Sequence, residues 1–473
     1  MFRSIFFLLA VCLYGHIAAQ NISDVVYLNS PVLLGTPRFT AAAGAFTALG
    51  NDFSGMQVNP AGLAVFRHDE FGISMGFGSN TISSTYYGRN QSESDNSFLL
   101  SNIGYTKKFF TDDPDVTWNI AIAYNRNNDL NSSSKVFGIN PTSSILQSWI
   151  NNANGTPPTD LFNSGLIYEA LAYEAFLIDP DVDNNYSTQA QIETTEQYWA
   201  EDITGHFDEL SFAVALDQNS KLYYGASINI PFYKYNSAYY YTESGYGGDS
   251  IKGMEWVEEF SNRGAGFNIK LGAIYRPIPN LRIGASIFTP TWLGITQTYS
   301  TTVNSIFNNS PDYSAKFEQG SSFKYGMRNA PQANLGLAYV FDKNGFLSVD
   351  YAFIPTKWSG TSTNELNYLN DEINGFLQNQ HNVRVGAEIR FSSIFFRGGY
   401  SWLSNPYNIE GQDATQNTYS LGIGYRSNKI TFDICYAIQN HNQTYFPYDS
   451  SLVNGAQQTI TRKPFIASVS FKL

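Results

Sequence analysis

From residue 69 to its last residue the chain repeats one pattern, runs of roughly ten residues in which every second residue is apolar. In residues 428–440, Ile430, Phe432, Ile434, Tyr436 and Ile438 fall on one face of an extended strand. Lys429, Thr431, Asp433, Cys435 and Gln439 fall on the other, because successive side chains of a strand point to opposite sides. The split recurs in residues 382–391 and 416–426, and further copies lie at 116–124, 281–287 and 347–353. Fourteen such segments can be placed, from 69–78 to 459–473. Their links alternate in length. Asp112-Asp113-Pro114-Asp115, Gln218-Asn219-Ser220, Pro277-Ile278-Pro279-Asn280, Asp342-Lys343-Asn344, Ser392-Ser393 and Ser427-Asn428 are tight, and the links between them are long.

Strands with one oily and one wet face, short turns on one side and long loops on the other predict an all-β fold, a transmembrane antiparallel β-barrel of about 14 strands over residues 69–473. An even count places both termini on the short-turn side, the periplasm if the barrel lies in an outer membrane. A soluble sandwich shares the alternation. Strands of ten or more residues, the turn asymmetry and a final strand alternating Phe465, Ala467, Val469, Phe471 to Leu473 favour the barrel.

Composition sharpens the picture. Only 14% of residues are charged and 16% are aromatic, with 32 Tyr and 35 Phe, which suits a surface facing lipid. Residues 1–19 carry Arg3, an apolar run and small residues before Gln20, the layout of a cleaved signal peptide. Cys12 belongs to that leader, and Val11 before it is bulky for a lipoprotein cleavage site. Cys435 is then the sole mature cysteine, so no intramolecular disulfide is expected. No later run has the 18 or so apolar residues of a spanning helix. The net charge of -12, with no basic cluster, argues against nucleic acid as a partner.

Ahead of the strands, residues 35–66 read GTPRFTAAAGAFTALGNDFSGMQVNPAGLAVF, too rich in glycine for a stable helix. Pro60 pushes Asn59 out of the α region, so compact turns are expected. Small residues, then an acidic-and-serine turn, then NPAGL resemble the N-terminal pattern of the FadL/TodX family of outer-membrane transporters for long-chain fatty acids and other hydrophobic molecules. Asn329 to Tyr339 (NAPQANLGLAY), Val349-Asp350-Tyr351, Val383 to Glu388 (VRVGAE) and Arg397-Gly398-Gly399-Tyr400 are similar to strand phrases of the same family, in order. The resemblance implies that residues 20–68 form a hatch inside the barrel, with Gly44, Gly55, Asn59, Pro60, Ala61 and Gly62 as hatch or gating residues. It also implies passive uptake of a hydrophobic small molecule, outer-membrane lipid and lipopolysaccharide as surroundings, and an outer-membrane assembly machinery that recognises the last strand. Family members usually end in an aromatic residue, from which Leu473 departs slightly. Two other roles remain open at this point: a shuttle serving protein secretion, and a general diffusion porin, which the glycine-rich plug disfavours.

The longest loop, about 128–205, contains a predicted amphipathic helix from Asp160 to Ile178 that sets Phe162, Leu166, Tyr173 and Leu177 along one side as a candidate ligand-capture surface. Its bland alternative is a helix packed on the barrel rim. A second short helix is expected at 364–378. Asp179 to Asn185 opens like a calcium loop, but Asn184 stands at the turn glycine and Ala190 at the closing glutamate. Histidines are scattered singly, and no GxSxG, P-loop or Cys-His pair is present, so neither an enzyme, a metal site nor a cofactor is expected. Arg282, Asp350, Arg384, Glu388, Arg390, Arg397, Arg426 and Asp433 fall on the inward faces, where pairing with one another and with the hatch is expected.

Overall fold

The computed structural model describes residues 22–30 and 34–473. The expected signal peptide, residues 1–19, lies outside the described residues. The wall is a closed 14-stranded antiparallel barrel. In chain order its strands are β1 (Glu70–Tyr86), β2 (Arg89–Phe110), β3 (Val116–Asp129, continued by Ser132–Asn140), β4 (Thr195–Gln218), β5 (Leu222–Ser244) and β6 (Ile251–Ile278). β7 is Leu281–Phe288 continued by Trp292–Phe307, and β8 is Tyr313–Glu318, Phe323–Arg328 and Gln332–Val340. The rest are β9 (Gly345–Ile354), β10 (Gln380–Phe391), β11 (Ile394–Leu403), β12 (Gln416–Arg426), β13 (Ile430–Tyr445) and β14 (Ala456–Lys472). β14 closes the ring on β1, from Glu70 opposite Lys472 to Thr85 opposite Gln457, and Leu473 N–H donates to the Asp69 carbonyl. Pro290, which has no N–H for the ladder, sits in the break within β7.

The alternation sorts the side chains as expected. Ile434 (44% exposed), Phe432 and Leu421 face outward, while Asp433 and Ser420 are buried inside. Cys435 corrects one expectation about the wet face. It is 2% exposed and packs in an apolar cluster with Ala41, Leu99 and Ile466, so the lumen is dry at that point.

β4, β5 and β6 run to 24, 23 and 28 residues, well past the segments placed from sequence. Their far ends rise on the long-loop side and form a second core with the loop helices. There Tyr86, Trp199 and Tyr241 pack with Trp149, Leu171 and Leu177. The helix expected at Asp160 to Ile178 is shorter: α4 spans Ile167–Glu174, because Gly165 turns the chain with φ +78° just before it. α3 (Ile145–Ala153) was not anticipated. Its start is fixed by the buried Glu243 carboxylate, which accepts from Ile145 N–H (3.0 Å), Gln197 Nε2 (2.7 Å), Tyr241 OH and Tyr246 OH (both 2.6 Å). Negative charge at a helix N-terminus is stabilising, and every oxygen here is occupied. α5 (Asn367–Phe376) lies within the second expected helix.

Candidate functional site

Residues 34–66 lie inside the barrel and touch its inner wall on several sides. α2 (Pro37–Ala41) begins at Thr36, whose side chain accepts from Phe39 N–H, with Pro37 at the first position, where a missing N–H costs nothing. The buried Asp52 gathers Thr36 Oγ1 (2.7 Å), Ser54 N–H (2.9 Å) and Gly55 N–H (3.2 Å), tying the start of the segment to the turn at its middle. Gly44 takes φ +69° in the turn after α2. Gly55 keeps ordinary dihedrals and faces Phe46, with 3.3 Å left for a Cβ.

Asn59 is the main fastening. It is fully buried, and its Oδ1 accepts from Ala61 N–H (3.0 Å). Its Nδ2 donates to the Thr47 carbonyl (2.6 Å) and reaches the Ala273 (3.2 Å) and Ala285 (3.5 Å) carbonyls of β6 and β7. One amide therefore joins two turns of the segment to the wall. Pro60 opens the short 3₁₀ turn Pro60–Val65. Gly62 packs within the segment: a Cβ there would meet Gly50 Cα at 2.8 Å, and its φ is unexceptional.

Close approach to the wall is secured from the wall's side. A Cβ on Gly225 of β5 would stand 2.3 Å from Ala61 N, and one on Gly272 of β6, directly opposite Gly225, would stand 1.8 Å from Asn59 Oδ1. Gly284, Gly386 and Gly399 are similarly pressed by the Thr47 carbonyl, the Ala42 carbonyl and Ala43 N. No side chain fits between two backbones at that distance.

Most of the inward charges pair as expected, and three of them, Glu388, Asp350 and Arg282, bind the segment. Arg397 bridges Glu388 (2.6 Å) and Asp433 (2.5 Å), and Arg38 of the segment reaches Glu388 (3.3 Å). Asp350 accepts from Thr47 N–H (2.8 Å) and lies 3.6 Å from Arg384. Arg282 donates to the Leu49 carbonyl (2.5 Å). Arg390 instead donates to the Ser392 carbonyl at the tight turn, and Arg426 lies over the Phe395 ring (4.9 Å).

The wall itself has a seam. β2 pairs with β3 only from Phe110 opposite Thr117 to Asn102 opposite Asn125. Beyond that level, among the described residues, β2 stays laddered to β1 and β3 to β4, with no backbone pairing between them. Side chains span the gap: Ser97 to Asp129 (2.5 Å), Glu93 to Lys135 (3.2 Å), and Gln91 Oε1 accepting from Phe137 N–H (3.1 Å). Behind it, inside the lumen, lies a pocket lined by Leu34, Leu99, Ala437 and Pro464, with Asp129 and Arg462 at its polar edge. Arg462 Nε has no hydrogen-bond partner there. α1 (Ile22–Asn29) fills the lumen on the long-loop side, with Val25, Val26 and Leu28 against Tyr233, Leu293, Leu369 and Ile373.

The four loop residues do not form one surface. Leu166 and Leu177 are buried in the loop core, Tyr173 packs at its edge, and Phe162 is 38% exposed and stacked on Phe317 (6.2 Å). In the candidate calcium loop the Asp181 carboxylate accepts from Asp183 N–H (2.9 Å) and Asn185 N–H (2.8 Å), which stabilises the charged form and lowers its pKa.

No protein-family model and no curated protein matches the chain. Among solved structures it is similar to a FadL homologue of Pseudomonas aeruginosa (TM-score 0.55, 11% identity, 93% of this chain and 99% of that one). It is similar as well to the toluene transporter TodX of Pseudomonas putida (TM-score 0.54, 11% identity, 94% and 100%). The toluene transporter TbuX of Ralstonia pickettii is a third (TM-score 0.52, 13% identity, 93% and 99%). At these identities the likeness establishes a shared barrel fold over nearly the whole chain.

Proposed function

We propose that the protein is an outer-membrane conduit for passive uptake of hydrophobic small molecules, with both termini in the periplasm and the segment 34–66 as its hatch. The observation that carries this reading is the seam between β2 and β3 with an apolar pocket directly behind it. An apolar solute that reaches the pocket gains nothing by passing on into periplasmic water. Leaving sideways into the bilayer costs it little, and across the seam no backbone ladder must break. The exposed Glu93–Lys135 pair contributes only about 0–1 kcal/mol, and a few side-chain bonds open more cheaply than a continuous backbone ladder buried from water. The hatch blocks the straight aqueous path, which separates this protein from a general porin.

The pocket also supports a finer reading. Arg462, with an unsatisfied Nε at the pocket edge, suits a solute that ends in a carboxylate, such as a long-chain fatty acid, more than a plain hydrocarbon. The test is Ser97→Cys with Asp129→Cys, which places two thiols across the gap. Oxidised, this variant should lose uptake of labelled oleate and toluene, and reductant should restore it. Unchanged uptake by a fully cross-linked protein would refute the lateral route. Equal loss of oleate and toluene uptake in Arg462→Gln would refute the carboxylate preference.

A further inference from the structure

A row of cations runs across the outside of the barrel at one level. Lys234 of β5 is opposite Arg263 of β6, Arg263 is opposite Thr296 of β7, and Thr296 is opposite Lys324 of β8. All three cations are exposed, and among the described residues none takes part in an ion pair. The height of the row matters too. On β5 Lys234 follows Phe232, the last large apolar side chain that this strand leaves exposed on the way to the long loops. The row therefore stands just past the lipid-facing band, where headgroups lie.

Beneath it the surface is hollow. The next outward level is Phe232, Ala265, Gly294 and Gly326, each opposite its neighbour, and the small Ala265, Gly294 and Gly326 floor a groove of about 530 Å³. Trp292, stacked on Phe267 at 5.0 Å, walls the groove on the membrane side. Beside it Arg328, held by the Trp358 carbonyl (3.1 Å), adds a fourth cation.

We propose that this face of β5–β8 docks a bisphosphorylated glycolipid of the outer leaflet, with one acyl chain in the groove and its phosphates on the cations above. Strands are about 4.8 Å apart, so Lys234 and Arg263 make one cationic cluster while Lys324 stands about 10 Å from Arg263. A single phosphodiester reaches one cluster. A disaccharide carrying a phosphate at each end reaches both. The assignment rests on the outer-membrane placement proposed above, with the long loops outside.

Native mass spectrometry of the purified full-length protein, titrated separately with bisphosphorylated lipid A and with phosphatidylglycerol, tests it. Wild type should hold lipid A at least tenfold more tightly than phosphatidylglycerol. Lys234→Gln, Arg263→Gln and Lys324→Gln together should lose at least tenfold. Gly294→Leu, which fills the groove without meeting any atom nearer than 4.0 Å from its Cβ, should weaken binding as well. Neutralising the exposed Lys107, Lys343 and Lys429 near the tight turns should change nothing. Equal affinity for the two lipids, an unaffected row variant, or a loss as large in the turn variant would overturn the proposal. Uptake measured on the same preparations keeps the two readings apart: a protein that binds lipid A but moves no hydrophobic solute refutes the conduit alone, and the converse refutes the docking site alone.

Discussion

Asn59→Ala is the sharpest perturbation of the proposed hatch. The side chain is fully buried and makes a 2.6 Å donation to the Thr47 carbonyl and a 3.0 Å acceptance from Ala61 N–H. Truncation leaves both backbone groups dry and without that partner, and an unsatisfied buried group costs about 1–3 kcal/mol. The closed arrangement should therefore lose about 2–6 kcal/mol relative to one in which water reaches those groups. Since 1.4 kcal/mol is a factor of ten, the open population should rise by at least about thirtyfold. The outward face is untouched, so the barrel should keep its heat-modifiable mobility on gels. Planar-bilayer recording reads the change directly, as a rise in open probability and passage of small polar dyes. Gly272→Ala attacks the same contact from the wall, because its Cβ would stand 1.8 Å from Asn59 Oδ1, and should give the same phenotype. If both variants assemble and both keep wild-type conductance and dye exclusion, Asn59 does not hold the hatch shut and the gating mechanism fails.

Other outcomes follow from the same geometry. Ile434→Arg places a cation against lipid and should cost about 2–4 kcal/mol in denaturant unfolding, and Cys435→Arg should be at least as damaging, because Ala41, Leu99 and Ile466 enclose that thiol. Gly62→Val should loosen the segment through its collision with Gly50, raising conductance without altering barrel assembly. Glu169 of α4 has its pKa raised by burial, with Asn152 (2.9 Å) partly offsetting the shift. Its contribution to loop stability is thus fully present below the ordinary carboxylate range and lost as pH rises through the raised value. Hydrogen exchange of α3 and α4 should quicken with rising pH in wild type beyond the intrinsic rate, and Glu169→Gln should abolish that excess.

The wall was legible because lipid imposes a two-residue period that nothing else in the chain competes with. Every strand placed by that period exists, and the even count and the turn asymmetry carried the topology with it. The period fades where its cause ends. Past the apolar band both faces of β4, β5 and β6 meet protein or water, so residues 195–205, 235–244 and 251–263 alternate weakly and read as loop although they are strand. α3 was missed for a related reason: ILQSWINNA is held by a carboxylate about a hundred residues away, which no local pattern encodes.

The candidate site was half legible. Asn59 and Pro60 stand out in any reading of residues 35–66, but their partners are backbone carbonyls of β6 and β7, and carbonyls have no sequence signature. A signal was nevertheless present on the other side of the contact. Gly225, Gly272, Gly284, Gly336, Gly386 and Gly399 each interrupt a strand at an inward position, where a barrel with a water-filled lumen has no need of glycine. A strand loses stability for each one. Glycines recurring at inward positions on so many strands are accounted for only if something packs against the wall there at backbone distance. In the structure residues 42–61 follow that line of glycines around the wall. The seam had no such trace: a strand pair that lacks its ladder keeps the same alternation, and only the folded barrel shows where the bonds stop.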